Sequence, residues 1–183
     1  MQILLGADPE IFVADAKDPT NFQNALGIVT GSKEEPEPCE HGAMQLDGMA
    51  LEFNIDPAAS EDEFVHNIES VMGQLRQRLP SGLHLSGECV AVFNQDYFNR
   101  QPESCKELGC EPDFNAWSGG ENPRPDGSRN MRTAAGHIHV GWGNNFDPGS
   151  GAHRAICEQF VRNLDFSLGA ASLLWDPDIG PRS

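Results

Sequence analysis

Three short segments carry acidic, amide or histidine side chains two residues apart. Asp8 and Glu10 stand in Gly6-Ala7-Asp8-Pro9-Glu10. Glu52 and Asn54 stand in Met49-Ala50-Leu51-Glu52-Phe53-Asn54-Ile55. His137 and His139 stand in Ala135-Gly136-His137-Ile138-His139-Val140-Gly141. Two residues is the side-chain period of a β-strand, so each pair shares one face if its segment is extended. Carboxylates and imidazoles from neighbouring strands can then converge on one ion. Such a donor set suits a hard divalent cation, and the imidazole shifts the balance toward Mn²⁺ without excluding Mg²⁺. A polar sheet face has a plainer explanation too, because an antiparallel sheet commonly turns one side to water.

Other groups stand near these segments. Asp47-Gly48 reads as a turn leading into the Glu52 strand. Glu111 and Asp113, between Gly109 and Trp117, either add a ligand or belong to a structural loop anchored by Phe114 and Trp117. Arg129 and Arg132, just before the histidine strand, either meet phosphate or neutralise acidic surface, and Lys33 faces the same choice. His41, His66, His84 and His153 have no partner pattern. The sequence has no Walker A loop, no dinucleotide-binding glycine fingerprint opening a helix and no nucleophile elbow.

Positioning these side chains requires a sheet, and the hydrophobic pattern supplies one. Met49, Leu51, Phe53 and Ile55 alternate with Glu52 and Asn54. Ile138, Val140 and Trp142 alternate with the two histidines. Ile11 and Val13 oppose Glu10 and Phe12. Weaker strands are expected near 43–46 and 84–93. Ser60 followed by Glu63 is a capping-box pattern, and Phe64, Ile68, Val71, Met72, Leu75 and Leu79 then recur at helical spacing until Pro80 and Gly82. A second helix is expected over about 152–174, with Ile156, Phe160, Leu164 and Leu168 along one face. The pattern predicts an α+β fold: a mostly antiparallel sheet, helices packed on one face, and Glu10, Glu52, Asn54, His137 and His139 on the open one. Residues 99–130 read as one long irregular segment, and residues 1–183 as a single domain.

With 28 acidic and 12 basic side chains the formal charge is −16. That balance argues against nucleic acid and anionic membranes as partners, since both require basic surface. No apolar run approaches the roughly 18–20 residues of a membrane span. The N-terminal residues lack the basic and apolar stretches of a signal peptide. Five cysteines at irregular spacing read as reduced thiols of a cytosolic protein. Neither Cys39-Glu40-His41 nor Cys105 with Cys110 has the spacing of a zinc knuckle.

The segments Gly6–Val13, Gln45-Leu46-Asp47-Gly48 with Leu51–Ala58, Gly109–Trp117 and Ala135–Gly141, in that order, resemble the phage carboxylate–amine ligase, type 2 family. That family is distantly related to glutamine synthetase and glutamate–cysteine ligase. The resemblance implies a glutamine-synthetase-like sheet with a metal and nucleotide site on its concave face. Asp8, Glu10, Glu52 and His137 match metal-ligand positions, and His139 a position near the nucleotide phosphates. Asp47, Asn54, Asp113 and Arg132 are further candidate site residues. The implied cofactors are Mg²⁺ or Mn²⁺, with ATP as cosubstrate. The implied reaction joins a small-molecule or peptide carboxylate to an amine through an acyl phosphate, in the cytoplasm of a phage-infected host. Active sites between subunits in the wider superfamily make a homo-oligomer an expectation.

The family pattern continues past the second helix into a basic, glycine-rich region, whereas this sequence ends at Asp176-Pro177-Asp178-Ile179-Gly180-Pro181-Arg182-Ser183. The expectation is a chain shortened at its C-terminus, lacking phosphate-binding arginines and one metal ligand of the family. Two alternatives follow: a non-catalytic phage protein that keeps the fold and a metal, or a metal-dependent hydrolase using the same cluster.

Overall fold

The computed structural model describes residues 2–108, 114–123, 129–142, 147 and 149–175. The chain divides into two compact units, Met1–Gly109 with Asp126–Trp142, and Cys110–Pro125 with Gly143–Ser183.

The first unit is assembled on β1 (Leu4–Asp15), a strand of 12 residues. Its first half pairs with β9 (Gly136–Gly141), from Leu4 opposite Gly141 to Pro9 opposite Gly136. Glu10 and Ile11 pair with Glu52 and Leu51 of β5 (Ala50–Ile55). Its last residues pair with β2 (Phe22–Gln23) and β6 (Leu83–Ser86). Beyond β5 lie β4 (Gly42–Asp47) and β3 (Glu37–Cys39). All these ladders are antiparallel, and a separate two-stranded ribbon joins β7 (Val90–Val92) to β8 (Met131–Thr133). The α+β, mostly antiparallel architecture therefore stands as read from the alternation.

One face of the sheet is covered by α1 (Glu61–Arg78). Ser60 caps it, its side chain accepting from the Glu63 N–H at 3.2 Å. The Glu63 carboxylate reaches back to the Ala59 N–H at 2.7 Å. Val71 and Leu75 are buried against Val13, Met44, Leu51, Phe53 and Ile55, with Phe64, Ile68, Met72 and Leu79 packed around them. Every apolar position expected on this helix face contributes to that core.

The opposite face is less open than the alternation suggested. Phe12 and Ala14, in phase with Glu10, belong to a second core with Phe22, Met49, Ala50, Ala91, Phe93, Phe98 and Cys105. Phe12 meets Phe22 and Phe93 edge-on, with ring centroids 5.8 and 6.1 Å apart. The short helices α2 (Gln95–Asn99) and α3 (Glu103–Lys106) and the β7–β8 ribbon supply this cover. Of these, α3 falls within the 99–130 stretch expected to be irregular, and β7 within the weaker strand expected near 84–93. Met49, grouped by alternation with Leu51, falls in this second core instead. Asp47 pairs with Ala50, so Gly48 and Met49 form the turn between strands, and the strand period does not govern them.

In the second unit, α4 (Gly151–Leu164) runs through a π-helical turn at Asp165–Gly169 into α5 (Ala170–Trp175). The span matches the expected second helix. Its stripe is not buried: α4 has no buried residue, and Ile156, Leu164 and Leu168 are exposed. Residues 114–120 lie along it. Trp117 Nε1 donates to Asp165 at 2.7 Å and Arg162 Nε to the Ala116 carbonyl at 2.7 Å, while Arg154 sits 4.3 Å from the Phe114 ring centroid. That geometry favours the structural reading of Phe114 and Trp117. Cys39, Cys89, Cys105 and Cys157 are free thiols.

Candidate functional site

Directly opposed residues of an antiparallel pair share a face, as do residues two apart on one strand. Glu10 opposes Glu52, and Glu52 opposes Gln45. Asp8 lies two residues before Glu10 and opposes His137; Asp47 lies two residues after Gln45. Strand register alone thus places four carboxylates, the Gln45 amide and the imidazoles of His137 and His139 on the same surface. They fall into two adjoining groups.

The first group centres on Asp8. Its Oδ1 accepts from the His137 backbone N–H at 3.1 Å and lies 3.2 Å from His137 Nδ1. Its Oδ2 lies 3.2 Å from His139 Nε2. His139 opposes Gly6, which has no side chain, so its ring reaches diagonally to Asp8. The imidazoles stand at the mouth of the site, 61 % and 65 % exposed, while Asp8 is 22 % exposed.

The second group is more enclosed. Asp47 and Glu52 are 8 % and 9 % exposed. Gln45 Nε2 donates to Glu52 Oε2 at 2.8 Å. Glu10 Oε2 accepts from the Ala135 N–H at 2.9 Å. Burial raises the Glu10 pKa from an ordinary 4.5 to about 7, helped by the charges of Asp47 and Glu52 and by a hydrogen bond shared with Asp47, and opposed by the Ala135 N–H. Two carboxyl groups make such a bond only when one holds a proton. Burial also raises the Glu52 pKa; Asp47 and Asp8 push the same way, against Gln45 and Lys33.

Lys33 brings positive charge to these acids. Its Nζ stands 3.1 Å from Asp47 Oδ2 and 3.9 Å from Glu52 Oε2. The loop that holds it is fixed from both ends. The Gly31 carbonyl accepts from the Leu46 N–H at 3.0 Å, and a Cβ on Gly31 would fall 2.1 Å from the Met44 carbonyl oxygen and 2.4 Å from the Glu37 nitrogen. Only glycine lets the chain lie this close to β4. Ser32 and Glu35 then bond each other through N–H to carbonyl at 3.0 Å and N–H to hydroxyl at 3.2 Å, closing the turn around Lys33.

Of the other expected site residues, Asn54 lies on β5 two positions past Glu52, opposite Ala43. Asp113 lies outside the described residues. Arg132 is 7 % exposed on β8. It donates to the carbonyls of Lys106, Arg129 and Met131 at 2.6, 2.6 and 2.8 Å and stacks 4.8 Å from the Phe98 centroid. Its guanidinium ties β8 to α2 and α3. Gln45 and Lys33 are the contributors that strand arithmetic passed over. Gln45 was legible, being in phase with Asp47; Lys33 sits in a loop, where no period operates.

Among the described residues, no three His, Cys, Asp or Glu side chains already surround one point as the ligands of a metal do. Asp8 is engaged by the two imidazoles and Asp47 by Lys33. The donor chemistry nevertheless suits a hard divalent cation: crowded carboxylates withdrawn from water, with raised pKa values, are relieved by added positive charge. Among the described residues no helix is long and apolar enough to cross a membrane. Neither family models, nor curated proteins, nor solved structures give a match to this chain.

Proposed function

We propose that this chain is a carboxylate–amine ligase that uses ATP and a divalent metal ion, built on a glutamine-synthetase-like sheet. The observation that carries the reading is the single polar surface formed by β9, β1, β5 and β4, whose shared face carries Asp8, Glu10, Asp47, Glu52, His137 and His139. The motif resemblance adds the chemistry, and the crowding of acids around Glu10 adds a physical demand for a cation.

On this reading Asp8, Glu10, Glu52 and His137 hold Mg²⁺ or Mn²⁺, and His139 lies toward the nucleotide phosphates. The ion supplies charge neutralisation for phosphoryl transfer to the substrate carboxylate. The chain's own residues position and desolvate. The Ala135 N–H and Gln45 amide fix the orientations of Glu10 and Glu52. The aromatic core beginning at Phe12 closes the sheet face beside Glu10 to water. The imidazoles are exposed and free of bulky cover, which suits a role in meeting a phosphate chain.

Calorimetric titration of the full chain with ATP, with and without Mn²⁺ or Mg²⁺, tests this. Expected is ATP binding that requires the metal and is lost in Glu52→Gln. A folded chain that binds no ATP, or binds it without regard to metal and to Glu52→Gln, overturns the reading.

A further inference from the structure

Asp47 and Glu52 are nearly closed from solvent, yet the ammonium facing them comes from a loop lysine whose side chain is one-third exposed. An enclosed carboxylate pair needs a counter-charge, because an uncompensated charge out of water is costly. The loop that delivers it is built to do so: Gly31 packs where no side chain fits, Leu46 holds its carbonyl, and the Ser32–Glu35 turn presents Lys33 above the pair. A lysine is suited to a removable role, since its charge sits at the end of a flexible stem and returns to water readily.

We propose that Lys33 is the resident cation of the Asp47–Glu52 pair, and that a divalent ion takes the Glu52 carboxylate as a ligand only as the Lys33 ammonium leaves it. The inference rests on the metal-site reading above and extends it: Lys33 is a positioning residue that sets the site's affinity for metal. Both cations draw on Glu52, and Asp47 stands beside it, so occupancy by one weakens the other, and the coupling is reciprocal. Metal-free protein keeps its acids neutralised by its own chain. Loaded protein has an ammonium released at the mouth of the site.

The test is Mn²⁺ binding to the full chain, followed by calorimetry and by loss of the free-ion paramagnetic resonance signal, in wild type, Lys33→Met, Lys33→Gln and Lys33→Arg. Expected is Mn²⁺ binding about tenfold tighter in Lys33→Met and Lys33→Gln, with Lys33→Arg no tighter than wild type. Metal-free Lys33→Met should also melt below wild type, and saturating Mn²⁺ should close the gap. If wild type binds Mn²⁺ and both charge-removing variants bind it equally or more weakly, the competition is refuted while the metal site stands. If no folded variant binds Mn²⁺, the metal site falls and the inference with it.

Discussion

Asp8 holds His137 twice across the β1–β9 ladder, through the backbone N–H at 3.1 Å and the ring Nδ1 at 3.2 Å. Its second oxygen meets His139. One carboxylate thus orients both imidazoles and fastens β9. Replacing it with alanine removes one acceptor from the His137 amide and the partner of both imidazoles, and Asp8→Ala should lose about 1 kcal/mol of stability. Amide hydrogen exchange over 136–141 should quicken while that of α1 follows only the global change. Equal protection of β9 in both proteins would contradict this role.

The raised pKa of Glu10 makes stability depend on pH in a stated direction. The folded protein holds this proton up to about pH 7, whereas the unfolded chain releases it near 4.5. Folding is therefore penalised by the ionisation of Glu10 in a way absent below 4.5 and fully present above 7. The melting temperature of the metal-free chain should fall between pH 5 and pH 8. Glu52 acts in the same direction. Glu37 is held down to about 2, chiefly by the Thr30 N–H and hydroxyl, so it takes stability away only below 4.5. Glu10→Gln should flatten the slope; an unchanged slope would assign it elsewhere.

Gly31→Ala should be far more damaging than an exposed loop substitution usually is. The added methyl would meet the Met44 carbonyl at 2.1 Å, and backbone on both sides leaves it nowhere to go. A loss of about 1–3 kcal/mol is expected from chemical denaturation. Because the same displacement moves Lys33 off the acids, Mn²⁺ binding should tighten in whatever fraction folds. A neutral effect on both would mean that the loop shifts freely.

Phe93 joins the roof over the sheet to the strand that bears Glu10. It is 1 % exposed and lies 6.1 Å from both Phe12 and Phe22 by ring centroid. Phe93→Ala should cost about 3–5 kcal/mol in urea unfolding. A cost below 1 kcal/mol would show that the second core is not a packed one.

The sequence made some of this legible for identifiable reasons. Glu10, Glu52 and His137 could be placed on one face because strand periodicity is strict, and the register bears that out. The α1 stripe was legible because capping and a helical repeat agree on the same residues. Arg132 was read as a surface or phosphate-binding cation, but it lies on a strand whose neighbours include Phe98 and three carbonyls, contacts fixed only by tertiary packing. Lys33 was named as a cation that meets phosphate or neutralises acids, but its partners Asp47 and Glu52 were not, and the aromatic roof escaped for the same reason. Their partners are brought by loops and short helices, which carry no period to read.

The pairing of β1 with β9 joins residues 129 positions apart at Asp8 and His137, and 125 apart at Glu10 and Ala135. A translating ribosome adds about 5–20 residues per second, so the outer half of β1 waits roughly 6–26 s for its neighbour to be made. During that interval the nascent strand offers unpaired backbone groups to any other extended chain. Asp8 and Glu10, on that stretch, carry charge that discourages such pairing. The acids gathered for the site thus also guard a growing chain against sticking to its copies, before the site itself exists.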